Sequence, residues 1–157
     1  MPVEQSGSVT PGHVAVFASD NVLMDGGANA FSDRVLASLL NADFNTTADQ
    51  PLALNPLLKA FQITGILITN ASISLSTAVG GFYPQADKLG TEIVANTQVY
   101  NTLSTGQKLL AATLTAFATG NQFTRDILPD WAVYLSLTTE QGVAATADVY
   151  LLGVELR

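Results

Sequence analysis

Residues 61–76, FQITGILITNASISLS, constrain the fold more than any other stretch of the chain. The segment opens almost fully apolar and then alternates, with Ala71, Ile73 and Leu75 set against Asn70, Ser72 and Ser74. A period of two marks a β-strand, because successive side chains leave a strand on opposite faces. The change of pattern predicts a strand that passes from a region covered on both faces to one covered on a single face. Further strand-like runs lie within residues 44–54, 92–94, 98–103, 109–117, 131–138 and 147–156. Gly, Asn, Asp and Pro punctuate the intervals, and no long helical pattern alternates with the strands. The chain therefore reads as all-β, with residues 43–157 forming an antiparallel β-sandwich of jelly-roll type.

A length of 157 residues suits one domain with one core. Hydrophobic residues make up 48% and charged residues 12%, against about 25% charge in an average soluble protein. Thr, Ser, Asn and Gln take the place of the missing Lys and Glu, as on a Thr-rich β-surface or on a subunit whose faces are covered by neighbours. The net charge of -7 repels a nucleic-acid backbone. Arg34, Lys59, Lys88, Lys108, Arg125 and Arg157 are scattered, so they build no basic patch, and nucleic acid is not an expected partner. Cysteine is absent, which removes disulfides and thiolate metal sites. The first residues lack a basic start followed by an apolar stretch, and no segment approaches about 18 uninterrupted apolar residues; neither a standard export signal nor a membrane span is expected.

Ahead of the predicted sandwich, residues 8–27 read SVTPGHVAVFASDNVLMDGG. Two short strand-like runs, 14–17 and 22–24, flank the turn-forming Ala18-Ser19-Asp20-Asn21, which predicts a β-hairpin closed by Asp25-Gly26-Gly27. A lone hairpin is marginal in water, so its apolar residues need another surface, in its own domain or on another subunit. Residues 1–29 are accordingly assigned as an attachment arm, with Val14, Val16, Phe17, Val22 and Met24 as candidate partner-binding residues. In residues 30–42, Phe31, Val35, Leu36, Leu39 and Leu40 share a helical spacing, with Ser32 as an N-cap and Asn41 near the stop. A short helix is expected there, with an extended link as the alternative.

The sequence offers few groups placed for chemistry. His13 is the sole histidine, and it follows Pro11-Gly12 in the arm, so a catalytic triad or a two-histidine metal site within one chain has no basis. Asp20 and Asp25 lack the oxygen spacing of a calcium loop. Asp87, Glu92, Asp126, Asp130, Glu140 and Asp148 offer carboxylates that nothing in the sequence pairs. GxGxxG, GxxxxGK[ST] and GxSxG are absent. No catalytic, cofactor-binding or metal-binding residue is assigned, and an enzyme is not expected. Gly80-Gly81-Phe82-Tyr83-Pro84 forms either a binding loop, with Phe82 and Tyr83 as candidate glycan-facing aromatics, or a corner whose rings cover the edge of the core. A carbohydrate-binding module would add Tyr100 or Trp131 to those rings. Residues 138–142 look like a hairpin connection with Gly142 in the left-handed position.

The opening VTPGHVAVFASDNVLMDGG resembles an N-terminal segment of small virion proteins of tailed bacteriophages, in which a VTPGH-type start precedes a DG or DGG turn. The body resembles the same group in FNTTADQPLAL, in ILITNASISLSTAVGGFYPQADKLGTEIVANTQVY and in VYLSLTTEQGVAATADVYLLGVEL, the long middle segment being the most specific. Leu89 departs from the pattern, standing where a small residue or glycine is expected. The resemblance implies a virion structural protein made in the bacterial cytoplasm: a capsid cement or decoration protein, or a tail or head fibre or spike component. Implied partners are the major capsid protein or tail and portal-adaptor proteins, together with further copies of the chain in a homo-oligomer such as a trimer. It carries over no catalytic residue and no cofactor.

Overall fold

The computed structural model describes residues 15–17, 23–25, 34–105 and 108–156. The chain divides into two units, Met1–Ser32 and Asp33–Arg157. In the first, β1 (Ala15–Phe17) and β2 (Leu23–Asp25) form a two-stranded antiparallel sheet in which Val16 lies opposite Met24 and Phe17 opposite Leu23.

The second unit contains β3 (Arg34–Asp43), β4 (Gln50–Ala53), β5 (Ala60–Thr69), β6 (Val79–Tyr83), β7 (Leu109–Ala111), the short helix α1 (Ala116–Gly120), β8 (Ala132–Thr139) and β9 (Thr146–Leu156). Two antiparallel sheets result, one of order β3-β9-β5-β7 and one of order β4-β8-β6. Bridges Phe82↔Val94 and Val79↔Val99 lay the segment around residues 94–99 along the free edge of β6, as a rudimentary fourth strand of the smaller sheet. With that segment counted, the strands alternate between sheets in the order of a jelly roll, and the expected fold class is observed.

The core lies between the sheets. Ile63, Ile66 and Ile68 of β5, Val149 and Leu151 of β9, and Val133, Leu135 and Leu137 of β8 are fully buried. Aromatic rings close the ends of this layer. Phe61 stacks on Phe123 at 5.7 Å and meets Trp131 edge-on at 5.8 Å, while Phe44 meets Tyr100 edge-on at 5.2 Å. The Tyr100 hydroxyl donates to the Gly80 carbonyl at 3.1 Å, which satisfies the polar end of a ring that has no access to water.

Several expectations are corrected. Residues 34–43 are the strand β3, so the sandwich begins at Arg34 and the short helix predicted within 30–42 does not form over these residues. The reason is the pair of β-bulges between Val35 and Ala37 and between Leu39 and Ala42. Each bulge shifts the inward phase by one residue, so the apolar positions drift from a period of two toward helical spacing. Strand β5 ends at Thr69 and does not continue to residue 76: Asn70 takes a left-handed φ of 53°, although Leu75 still reaches the core. Residues 79–83 form a strand, neither loop nor corner, and their glycines serve close packing: a Cβ on Gly81 would collide with the Val94 carbonyl. The run 109–117 holds only the short β7 before α1, whose N-cap Thr115 accepts from the Ala118 amide.

Residues 138–142 are not a hairpin, since β8 and β9 belong to different sheets. The connection crosses the sandwich, with Gly142 at a φ of 84° as its composition predicts. Gln141 fastens the crossing. Its amide N–H donates to the Phe44 carbonyl at 2.8 Å, its side-chain carbonyl accepts from the Thr77 and Ala78 amides at 3.1 and 3.3 Å, and its backbone carbonyl accepts from the Thr77 hydroxyl at 2.7 Å. Replacing Gln141 by Ala leaves the buried Ala78 amide and the part-buried Thr77 amide without this acceptor and should lower unfolding free energy by about 1–3 kcal/mol, measured by denaturant titration. Glu140→Ala, next door, should cost less than about 0.5 kcal/mol.

Candidate interaction surfaces

The arm supplies the first candidate. Strand pairing brings Val16 opposite Met24 and Phe17 opposite Leu23, while Val14, Val22 and His13 lie outside the described residues. Neither strand exceeds three residues. At that length the ladder holds a few hydrogen bonds, and a two-stranded hairpin by itself is marginal in water.

The glycan-facing candidates are corrected. Phe82 is 0% exposed and Tyr83 is 3% exposed, so neither offers a ring face on which a sugar could stack. Phe82 points into the sandwich. Tyr83 lies under the chain that follows it, with its hydroxyl donating to Glu92 at 3.3 Å. Tyr100 and Trp131 are likewise buried, the latter donating through Nε1 to the Asn55 carbonyl at 2.8 Å beneath the Arg125 guanidinium.

The outer side of the smaller sheet carries a polar network instead. Asp49 accepts from the Asp87 amide and from the Ser136 hydroxyl, and pairs with Lys88 Nζ at 3.7 Å. Asp87 and Lys88 both adopt left-handed backbone conformations, with φ of 58° and 57°. Two such residues in succession cost on the order of 1–2 kcal/mol each, and the Asp49 contacts offset this. Leu89 stands half exposed at the tip of the same loop. Asp49 was not singled out from the sequence; a lone Asp in a polar loop has no pattern that marks it as a hub.

The remaining carboxylates are dispersed. Asp148 accepts from the Asn41 amide and from Asn70 Nδ2, each at 2.8 Å, and Asp130 accepts from the Tyr134 hydroxyl at 3.0 Å. Among the described residues, no three acidic or histidine side chains gather as a metal site would require. An open depression of about 380 Å³ is lined by Leu57, Lys59, Ala60, Gln122, Glu155 and Leu156.

The outer side of the larger sheet differs in kind. On β9, Ala147, Val149 and Leu151 point inward, which turns Asp148, Tyr150, Leu152 and Val154 outward. Cross-strand register then sets Val35, Leu152 and Gly65 in one row and Ser38, Tyr150, Leu67 and Ala111 in the next. Every one of these seven is exposed or half-buried. Among the described residues of this face, charge lies toward the ends, as Asp43 and Asp148 at one and the Arg34–Glu155 ion pair at the other. No family model, curated protein or solved structure matches the chain.

The buried tyrosines give a pH test. Burial, and then the Glu92 carboxylate, push the Tyr83 hydroxyl from 10.0 up to about 12, and burial pushes Tyr100 up as well. The folded chain therefore keeps protons that the unfolded chain releases above pH 10. Stability from these groups is complete below pH 10 and falls as pH rises toward 12 and beyond. Denaturation midpoints across that range should decline, and Tyr83→Phe should flatten the decline.

Proposed function

We propose that this chain is a structural subunit of a bacteriophage particle, a capsid cement or decoration protein that attaches through its N-terminal arm. The observation that carries the reading is the division of the chain into an N-terminal unit, Met1–Ser32, that contains a short hairpin, and a jelly-roll unit with its own core. A hairpin with three-residue strands has little reason to exist unless something outside it covers its apolar residues. Strand addition or apolar anchoring on a capsid protein would supply that cover. The low charge of the chain suits a subunit that spends its life between neighbours. A fibre or spike component of the head or tail is the second form of the same reading. Copy number separates them, since a decoration protein should occur in fixed ratio to the major capsid protein. Burial of Phe82, Tyr83, Tyr100 and Trp131 disfavours the carbohydrate-binding alternative.

The test is a full-length chain carrying Val16→Asp and Met24→Asp. Two charges placed in an apolar contact should cost about 3–5 kcal/mol of binding, so incorporation into particles lacking the native protein should fall at least a hundredfold. The melting midpoint should stay within about 4 °C of the unaltered chain. Normal incorporation would move attachment onto the jelly roll. A collapse of the melting midpoint would make the hairpin part of the domain's own stability.

A further inference from the structure

We propose that the apolar outer face of the four-stranded sheet packs against the same face of a second copy of this chain, in a twofold arrangement. The inference rests on the jelly-roll unit alone and holds whether or not the arm binds a capsid.

Three observations select this occupant. The first is area. Strands β3, β9, β5 and β7 run 10, 11, 10 and 3 residues. At roughly 3.3 Å per residue and 4.8 Å between strands they present a face on the order of 500 Å² in projection. Two such faces together bury on the order of 1,000 Å², the lower end of what a specific interface needs.

The second is charge. At a net charge of -7 two copies repel one another over most of their surface. The rows through Tyr150 and Leu152 carry no ionisable carboxylate or amine, and Asp148 and the Arg34–Glu155 pair sit at the ends of the strands, where an interface rim is polar. Copies can meet here without opposing like charges.

The third is self-complementarity. The outer side of the smaller sheet is occupied by the Asp49 network, and other exposed apolar residues such as Leu57, Leu89 and Val143 stand singly on separate loops. Among the described residues, the surface that matches an apolar sheet face is that face itself. Face-to-face sheets pack with strands about 30° apart and close as a pair. The twofold pair is an alternative to the trimer that the sequence resemblance implies.

Sedimentation and light scattering on the full-length chain should give a particle of twice 16.4 kDa. Leu152→Glu and Tyr150→Lys, both at outward positions, should each raise the dimer dissociation constant by about a hundredfold or more. Their circular dichroism should be unchanged. A wild-type monomer at high concentration would overturn the proposal, as would a dimer that survives both substitutions. A stable trimer would overturn the twofold arrangement. A monomeric wild type whose stability drops with Leu152→Glu would assign the face to a different occupant, and so also overturn it.

Discussion

The pairing of β9 with β3 on one side and β5 on the other is the interaction from which the rest of the jelly roll follows. It runs from Ala60↔Leu156 to Thr69↔Asp148 along β5, and from Arg34↔Gly153 to Asp43↔Thr146 along β3. Because a strand's side chains alternate, the register of this one strand decides what faces the core. Ala147, Val149 and Leu151 must be inside, so Tyr150 and Leu152 must be outside. The bulges in β3 and β5 adjust their neighbours to that choice, keeping Leu36, Ala37 and Ile63 buried where strict alternation would have turned some of them outward.

Much of this order was legible in the residues. The alternation of 147–156 announces β9, and the apolar run from residue 61 announces β5, because both strands pack one face against a core and obey a simple period. β3 was illegible for a physical reason: two bulges disguise its period, and Leu39 and Leu40 complete a false helical stripe. The Gly80-Gly81 pair was open to two readings because glycine serves turns and close packing alike, and only the position of the Val94 carbonyl decides between them. Of the candidate site residues, Phe82 and Tyr83 were misjudged because an aromatic beside glycines looks exposed when the chain that covers it lies about ten residues further on. Asp49 and Gln141 were missed because their importance lies in distant partners, which no local pattern encodes.

The two outer faces show how a chain with few charges distributes them. Asp49, Asp87, Lys88, Glu92 and Asp130 lie on or beside the smaller sheet, where Asp49 and Lys88 tie loops down and Glu92 and Asp130 accept from tyrosine hydroxyls. The larger sheet is left with Tyr150, Leu67, Leu152 and Val35. Composition alone showed a shortage of charge; the fold shows that the shortage is local. An average over the surface would hide the rows around Tyr150 and Leu152, which carry no charged side chain.

The central place of β9 also sets the order in which the molecule can be assembled. During synthesis β3 and β5 emerge long before the strand that must lie between them, and the contacts that join β3 to β9 span more than a hundred residues, as in the bond from the Asn41 amide to Asp148. A nascent chain that has emerged through β8 can pair β4, β8 and β6, while the larger sheet remains a gap with open strand edges on both sides. Such non-local pairing closes slowly, because the entropy of a long loop is lost before its contacts form. Until β9 arrives, the empty slot will accept any passing strand of similar pattern, including the β9 of a neighbouring nascent chain on the same messenger. The strand that gives the finished domain its register is therefore also the one through which crowded ribosomes can entangle its copies.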